Sequence, residues 1–415
     1  MIVQPFRGIR PRPDLAARIP SLPYDVLDSD DARRLAAGDP YTFLHVVKSE
    51  IDLDPQTDVH DVLVYAKARE NFDAMRRRGW LVPDPRPAYY LYRQRMGEHV
   101  QTGIVGAAAV DDYLQGRIKR HEHTRPDKED DRTRHTDALG ANPGPVFLAY
   151  SGHAGLDHVV LERTAADPAA AFAAPDGVEH ALWVVDDEAA VRRIEAAFRE
   201  VPATYIADGH HRAAAYARVG TARRSRTGRS AGNEPFNRFL AVHFPARELK
   251  ILGYDRLVRD LRRLAPAEFL MRVQEAGFDV VNPWPAKRPP GPASFGLYFG
   301  GEWRLLTARP GTVPPGDPVR GLDVAILQDR ILGPVLGIED PRIDDRISFA
   351  GGQRGLAELE RRVDSGSIAA AFVLHPVSMA DVMRVADAGL VMPPKATWFE
   401  PKLRSGLVVH LLDEA

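Results

Sequence analysis

The chain has 415 residues, a formal net charge of −2 and no cysteine. The lack of cysteine excludes disulfides, thiolate zinc sites, iron–sulfur clusters and cysteine nucleophiles, and the near-zero charge argues against general attraction to nucleic acid or membranes. Since one core rarely grows beyond about 250 to 300 residues, two domains are expected. Neither a signal peptide nor a membrane-spanning segment is evident, which predicts a soluble cytoplasmic protein.

Helix-like and strand-like patterns alternate through the first part of the chain. In order, they predict helices at 32–37 and 61–78, a hairpin of 89–93 with 100–110, an apolar segment at 145–150, a strand at 181–185, a helix at 188–200, and strands at 203–207 and 236–244. This order is typical of mixed α/β or α+β folds.

The C-terminal part continues the alternation after a boundary that we place near residue 250. It predicts a hairpin of 294–299 with 302–307, a helix at 322–332, a strand at 368–374, a helix at 378–387 and a strand at 407–412. We therefore expect a first domain of residues 1–250 and a second, mixed α/β domain of residues 251–415 that completes the site of the first.

Two polar segments interrupt these patterns. Almost every residue from 117 to 137 is charged or polar, which is typical of a solvated helix face and equally compatible with a ligand-binding segment. Residues 221–232 lack an apolar period and carry several arginines. They predict a mobile basic loop, either an ordinary surface loop or one that closes over an anionic ligand.

The most informative segment is the Asp-Gly-His-His-Arg motif, where an apolar β-rich run ends at Asp208 and an alanine-rich helix begins. Gly209 can adopt a backbone conformation that a side chain disfavours, so N–H groups of the new helix can point at a phosphate or carboxylate. His210, His211 and Arg212 would add charge or directional donors. The alternative is an ordinary strand-to-helix turn with Asp208 as its cap.

A second polar motif reads Arg120-His121-Glu122-His123. On a strand, His121 and His123 would share one face with Glu122 on the other, so the motif is a poor zinc site. A hard cation such as Mg²⁺, held by Glu122 and substrate phosphates, suits the oxygen-rich surroundings better. Arg120 and Lys128 would reach phosphates, whereas structural and catalytic roles for the two histidines are equally compatible with the pattern.

Five short motifs follow one another in the order Pro5–Gly8, Leu22–Val26, Arg120–Thr124, Ile206–Arg212 and Met392–Lys402. Together they resemble the domain-of-unknown-function family 1015. The Asp-Gly-His-His-Arg motif of that family is similar to the phosphate-binding turn of free serine kinases and, more distantly, to turns of ParB partition proteins and sulfiredoxins. The resemblance implies a ParB/sulfiredoxin-like core, ATP or ADP at Gly209–Arg212, and phosphoryl transfer to a small hydroxylated metabolite such as serine.

The chain departs from the family pattern at two places. After the turn the family usually has Tyr-Glu-Thr-Ala, whereas this chain has Ala213-Ala214-Ala215-Tyr216. Where the family tends to have Pro-Thr-His-Arg, this chain has Gly253-Tyr254-Asp255-Arg256. If both segments line the pocket, the substrate or the reaction differs from that of the commonest family members.

Phosphoryl transfer needs positioning, charge compensation and a carboxylate that orients the acceptor hydroxyl. Glu122 is our first choice for that base, and Asp208 is the second, although Asp208 would also serve to anchor the turn or a ribose hydroxyl. His210 is the third catalytic candidate.

Further substrate contacts are predicted at Tyr24 and Asp25, at His121 and His123, and at Lys395 and Lys402. The two lysines bracket the aromatic pair Trp398-Phe399, which would alternatively serve as a purely structural staple.

Three function classes follow from these residues: a small-molecule kinase, which we favour; a hydrolase of phosphorylated metabolites; and a nucleotide-gated regulator of the ParB type. The partners expected are a nucleotide and a small-molecule substrate. Nucleic acid is not expected, since no helix-turn-helix pattern is evident. The sequence is also compatible with a homodimer.

Overall fold

The computed structural model describes residues 1–229, 232, 234–351 and 355–413, and it divides the chain into two compact units. The first unit joins Met1–Leu249 to Pro401–Ala415, and the second is Lys250–Glu400. This grouping differs from the predicted second domain at residues 401–415. The C-terminal segment lies with the first unit because Ser405 bridges to Ser21 and His410 pairs with Asn142.

Helices of the first unit, numbered along the whole chain, alternate with its strands. The helices are α1 Ser29–Ala36, α2 Leu44–Val47, α3 Val62–Arg77, α4 Val110–Leu114, α5 Pro126–Leu139, α6 Ala154–Arg163, α7 Glu188–Glu200 and α8 His210–Thr227. The strands are β1 Val3–Gln4, β2 Ile9–Pro11, β3 Leu81–Pro83, β4 Tyr89–Met96, β5 His99–Ala109, β6 Ile118–Lys119, β7 Ala141–Asn142, β8 Val146–Tyr150, β9 Ala170–Ala173, β10 Glu179–Val185, β11 Thr204–Asp208, β12 Arg238–Pro245 and β21 His410–Leu411.

A mixed sheet of nine strands within the described residues organises the first unit. Its order is β6-β11-β8-β12-β5-β4-β10-β9, and β1 pairs with β5. The β11–β6 and β12–β8 pairs are parallel, and the others are antiparallel. β11 therefore lies near one end of the sheet, and its last residue leads directly into α8.

Two buried clusters stabilise the first unit. One joins the nine-stranded sheet to α6, α7 and α8 through residues that include Leu148, Leu156, Ile194, Phe198, Ile206 and Tyr216. The other joins α2, α3 and α5 to the N-terminal strands through residues that include Phe43, Phe72, Leu81 and Leu139. Each fully buried side chain of this size contributes about 1.5–3 kcal/mol relative to exposure, so α5 and α8 are both anchored by packing.

The second unit contains an antiparallel six-stranded sheet within the described residues, in the order β15-β17-β16-β19-β14-β18. Its strands are β13 Lys250–Leu252, β14 Tyr254–Val258, β15 Phe278–Val281, β16 Ser294–Phe299, β17 Glu302–Ala308, β18 Ile347–Gly351, β19 Ala370–Leu374 and β20 Trp398–Glu400. Its helices are α9 Pro266–Glu275, α10 Asp323–Leu327, α11 Gly355–Asp364 and α12 Met379–Asp387. A separate pair, β13 with β20, joins the two ends of the unit.

The mixed α/β class predicted from the sequence is confirmed. The predicted helix at 188–200 is α7, and the predicted hairpin in the first unit is β4 with β5. The predicted helix at 322–332 is α10 followed by a π-helical turn, Gln328–Leu332. A bilayer-spanning helix is absent from the described ranges, where no helix combines sufficient length with sufficient apolar character.

Two predictions are wrong. The basic loop at 221–232 is helical as far as Thr227, while Ser230 and Ala231 lie outside the described residues. The helix continues because Arg224 pairs with Asp111 at 2.6 Å, and other arginines of its last turns find partners on α5. The predicted strand at 407–412 forms a strand only at β21.

Candidate functional site

The turn between β11 and α8 leaves a helix N-terminus without a cap. Gly209, the N-cap residue, adopts a left-handed conformation with φ +90° and provides no side-chain cap for the 18-residue helix. The first helical bond runs from the Ala213 N–H to the Gly209 carbonyl at 2.9 Å. The N–H groups of residues 210–212 precede it, so the partial positive charge of the helix end is available to an anion.

The Arg212 guanidinium lies directly against Gly209. A Cβ added at Gly209 would lie 2.9 Å from Nε of Arg212. Nη1 of Arg212 donates to the Pro145 carbonyl at 2.6 Å, and Nη2 lies 3.8 Å from a carboxylate oxygen of Asp25. Burial opposes its charge, but Asp25 and Asp208 outweigh burial and raise the pKa of Arg212. A buried cation therefore packs against the turn and stabilises it.

Asp208 and Lys402 form an ion pair at the mouth of the turn. The Lys402 ammonium donates to one carboxylate oxygen of Asp208 at 3.1 Å, and the other oxygen accepts from the Gly209 N–H at 2.8 Å. Burial opposes ionisation of Asp208, but Lys402 and Arg212 outweigh it and hold the pKa of that carboxyl well below its usual range. Asp208 is thus an anion at neutral pH that anchors both the turn and Lys402.

The second polar motif lies against the first. Oε2 of Glu122 lies 3.6 Å from Nδ1 of His210, and the rings of His121 and His210 meet edge to face at 4.5 Å. The Glu122 side chain is half-exposed, whereas both histidines are buried. Glu122 therefore lies beside the first residue of α8, two positions after Asp208.

Burial keeps both histidines neutral. It lowers the pKa of His121 to about 4, and burial followed by repulsion from His121 lowers the pKa of His210 well below its usual range. Burial also lowers the pKa of His211, whose Nε2 accepts from the Arg125 N–H at 3.0 Å. The positive charge of the turn at neutral pH therefore comes from Arg212 and Lys402.

The remaining predicted residues lie at different distances from this turn. Arg120, His123 and Lys128 are exposed, and the Arg120 guanidinium lies 5.5 Å from the centre of the Tyr113 ring. Lys128 lies in the first turn of α5. Lys395 belongs to the second unit, where it is exposed and its ammonium lies 5.6 Å from the centre of the Tyr254 ring.

The sequence patterns do not predict a cluster of polar side chains that holds the Tyr24-Asp25 turn. The Arg132 guanidinium lies 4.0 Å from the centre of the Tyr24 ring and pairs with Asp131 at 2.6 Å. Asp131 also accepts from the Tyr65 hydroxyl at 2.9 Å. This cluster fixes the Tyr24-Asp25 turn that faces Arg212. In the sequence, the only indication of this cluster is the spacing of the residues of α5 that become buried, and these lie within the polar run.

The residues present offer little for a resident metal. Within the ranges that the structure describes, no group of three histidine, aspartate or glutamate side chains is arranged to hold an ion. Asp208 is already paired with Lys402. A divalent cation would consequently need oxygen ligands from a bound substrate in addition to Glu122.

Comparison with known proteins gives structural neighbours of low identity. Free serine kinase in complex with AMP is 13% identical, with a TM-score of 0.35 over 72% of this chain and 86% of that chain. A conserved hypothetical protein from Pyrococcus furiosus is 14% identical, with a TM-score of 0.35 over 74% and 95%. SbnI from Staphylococcus aureus, truncated at its C-terminus, is 10% identical, with a TM-score of 0.38 over 74% and 87%.

No curated protein matches the sequence. A family model described as "Protein of unknown function (DUF1015)" matches residues 3–325, which is most of the chain and includes the Tyr24-Asp25, Glu122 and Gly209 motifs. The chain therefore belongs to the DUF1015 family.

Proposed function

We propose that the protein is a nucleotide-dependent phosphotransferase that moves a phosphoryl group from ATP or ADP to a hydroxyl of a small metabolite such as serine. The observation that carries this proposal is the uncapped N-terminus of α8 at Gly209, supported from below by buried Arg212. Such a turn suits phosphate oxygens, because backbone N–H groups donate hydrogen bonds to them. The fixed positive charge of Arg212 compensates the negative charge of the phosphate.

The nucleotide phosphates would lie on the N–H groups of residues 210–212. Lys402 lies at the mouth of the turn through its contact with Asp208, and it would turn towards a phosphate without leaving that carboxylate. Arg120 and Lys128 would contribute as exposed cations of the neighbouring polar segment. The resemblance to free serine kinases in the Asp-Gly-His-His-Arg motif favours the same placement.

Glu122 is the base that we favour for the acceptor. It is half-exposed beside the turn and contacts neutral His210, whereas Asp208 is held by Lys402 and the Gly209 N–H. The acceptor oxygen would attack the terminal phosphorus, the bond from that phosphorus to the bridging oxygen would break, and the hydroxyl proton would pass to Glu122. The shortened nucleotide would leave with the charge of the bridging oxygen.

Magnesium, if held by Glu122 and the phosphates, would supply further charge compensation on the transferred group. Tyr24, Asp25, His121 and His123 would then shape the acceptor side. A ParB/sulfiredoxin-like core and a cytoplasmic setting belong to the same proposal.

Two substitutions separate binding from chemistry. Glu122→Gln removes the base and keeps the shape, so we expect unchanged nucleotide affinity in the absence of magnesium and transfer at least about 100-fold slower. Lys402→Met removes a phosphate contact, so we expect affinity about 10-fold weaker. Lys67→Met is the matched control, since Lys67 is also ion-paired but lies on the surface of α3.

The measurements are calorimetric titration with ATP and ADP, and phosphorus-31 NMR with magnesium and a panel of hydroxylated metabolites that includes serine. The proposal expects one phosphate ester formed for each terminal phosphate lost. Free phosphate without an ester, from a nucleotide or from a phosphorylated metabolite, would indicate a hydrolase. Tight nucleotide binding without turnover would indicate a regulator, and no nucleotide binding would refute the proposal.

A further inference from the structure

A cavity of about 510 Å³ opens on the other end of the nine-stranded sheet, over strands β4, β10 and β9. Two rows of facing residues run across these strands. Arg93 pairs with Ala181, which pairs with Ala171, and Arg95 pairs with Glu179, which pairs with Ala173. Since the three alanines project only a methyl group each, they leave a hollow beside two guanidinium groups.

The Arg93 side chain is held in place through Nε, but its terminal nitrogens are left as donors. Its Nε donates to Thr102 Oγ1 at 3.0 Å, and its guanidinium carbon lies 5.1 Å from the centre of the Trp183 ring. Within the part of the chain that the structure describes, its two terminal nitrogens make no hydrogen bond. Burial, together with repulsion from Arg95, lowers the pKa of Arg93. The side chain thus presents an ordered pair of donors, and Glu248 is the carboxylate that partly offsets its charge.

Arg95 adds a second cation on the same face. Its Nε lies 3.6 Å from Glu179, and both side chains are at least half exposed. An exposed pair at this distance holds its side chains only weakly, so Arg95 is free to turn towards a ligand. Two like charges two residues apart on one strand repel each other, and an anion between them would relieve that repulsion.

We propose that this cavity binds a small organic oxyanion, a carboxylate or a phosphate ester with a compact apolar body. The anionic group would take the terminal nitrogens of Arg93, with Arg95 as a second donor, because a guanidinium pairs with planar or tetrahedral oxyanions through two parallel bonds. The apolar body would lie on Ala171 and Ala181. The size of the cavity lies in the range of small-molecule sites. This inference does not depend on the proposed phosphotransfer.

The test follows the indole N–H signal of Trp183 in amide NMR spectra, assigned with Trp183→Phe, because Trp183 lines the cavity. Phenyl phosphate, benzoate and inorganic phosphate are the probes, which separates the ester, the carboxylate and the bare anion. No nucleotide is added, because the Trp183 signal reports this cavity and not the Gly209 turn. We expect saturable shifts with phenyl phosphate or benzoate, and weaker binding of inorganic phosphate.

Three variants sharpen the test. Arg93→Met should weaken binding at least 10-fold, and Arg95→Met several-fold. Ala171→Leu keeps both charges but fills the hollow, so it should weaken phenyl phosphate or benzoate more than inorganic phosphate. Arg86→Met is the control, since Arg86 is an exposed arginine paired with Asp186.

Failure of all three probes to shift the Trp183 signal would overturn the proposal. Equal binding by the wild type, Arg95→Met and Ala171→Leu would overturn it as well, and this comparison holds even if Arg93→Met fails to fold. Loss of nucleotide binding at Gly209 would leave these results unchanged.

Discussion

Two strand-to-helix turns in the first unit connect similar elements and use their helix ends differently. After β10, Asp187 caps α7 by accepting from the Ala190 N–H at 2.9 Å, and Glu188 adds an acid to the first turn. After β11, Gly209 provides no cap, and the first turn of α8 contains no acid. The first helix end is capped by a side chain of its own N-cap residue, whereas the N-cap residue of the second provides none.

The largest difference should appear in the side chains that support each turn. Arg212→Met removes the buried cation beside Asp25 and leaves Asp208 with Lys402 as its remaining counter-charge, so we expect a loss of about 4 kcal/mol in unfolding free energy and no measurable nucleotide binding. Arg193→Met on α7 removes only an exposed pair with Glu162 and should leave the unfolding free energy nearly unchanged. Urea unfolding measures both. Equal losses of unfolding free energy in the two variants would mean that Arg212 does not stabilise the turn.

Acid should weaken the α8 turn more than the α7 turn. The folded-state pKa of His121 is lowered to about 4. Its neutral form therefore contributes stability that is complete above about pH 6.5 and is lost as the pH falls towards 4, by about 3 kcal/mol. His121→Gln should flatten the dependence of unfolding free energy on pH in this window. An unchanged slope would contradict the neutral state assigned to His121.

Gly209 and Gly228 lie just outside opposite ends of α8, and both have positive φ. Gly209→Ala places a Cβ against Arg212, whereas a Cβ at Gly228 meets nothing within 4 Å. We expect about 2 kcal/mol of destabilisation and more than 10-fold weaker nucleotide binding for Gly209→Ala. Gly228→Ala should cost about 1 kcal/mol and leave binding unchanged. Thermal unfolding and calorimetric titration distinguish the two.

The smallest effect is expected at the capped turn. Asp187→Ala removes the bond to the Ala190 N–H and should lower the unfolding free energy by about 1 kcal/mol. Because that helix end is used within the chain, nucleotide affinity should not change. A changed affinity in calorimetry would show that the two turns are not independent.

Local patterns predicted the parts of the fold that depend on neighbouring residues. The bounds of α7 follow from its apolar spacing and its Asp187 cap. The Gly209 turn is visible for the same reason, since an apolar strand, a glycine and an alanine-rich helix stand in sequence. These features need no distant partner.

Distant contacts decided the rest. The polar run at 117–137 contains α5, whose buried Asp131 and His135 gain partners from elsewhere in the chain. The arginines that the sequence predicts to lie in a loop extend α8, because acids of α4 and α5 pair with them. The contact between Lys402 and Asp208 joins residues 194 positions apart. No local pattern contains such a pair.

The most direct test of the open helix end is amide NMR of the nitrogen-15-labelled protein with increasing ADP and magnesium. The account predicts that the amide signals of residues 209–212 shift in a saturable way, while those of residues 188–190 at the capped end of α7 stay in place. ADP that binds without moving the signals of residues 209–212, or that moves both sets equally, would contradict it.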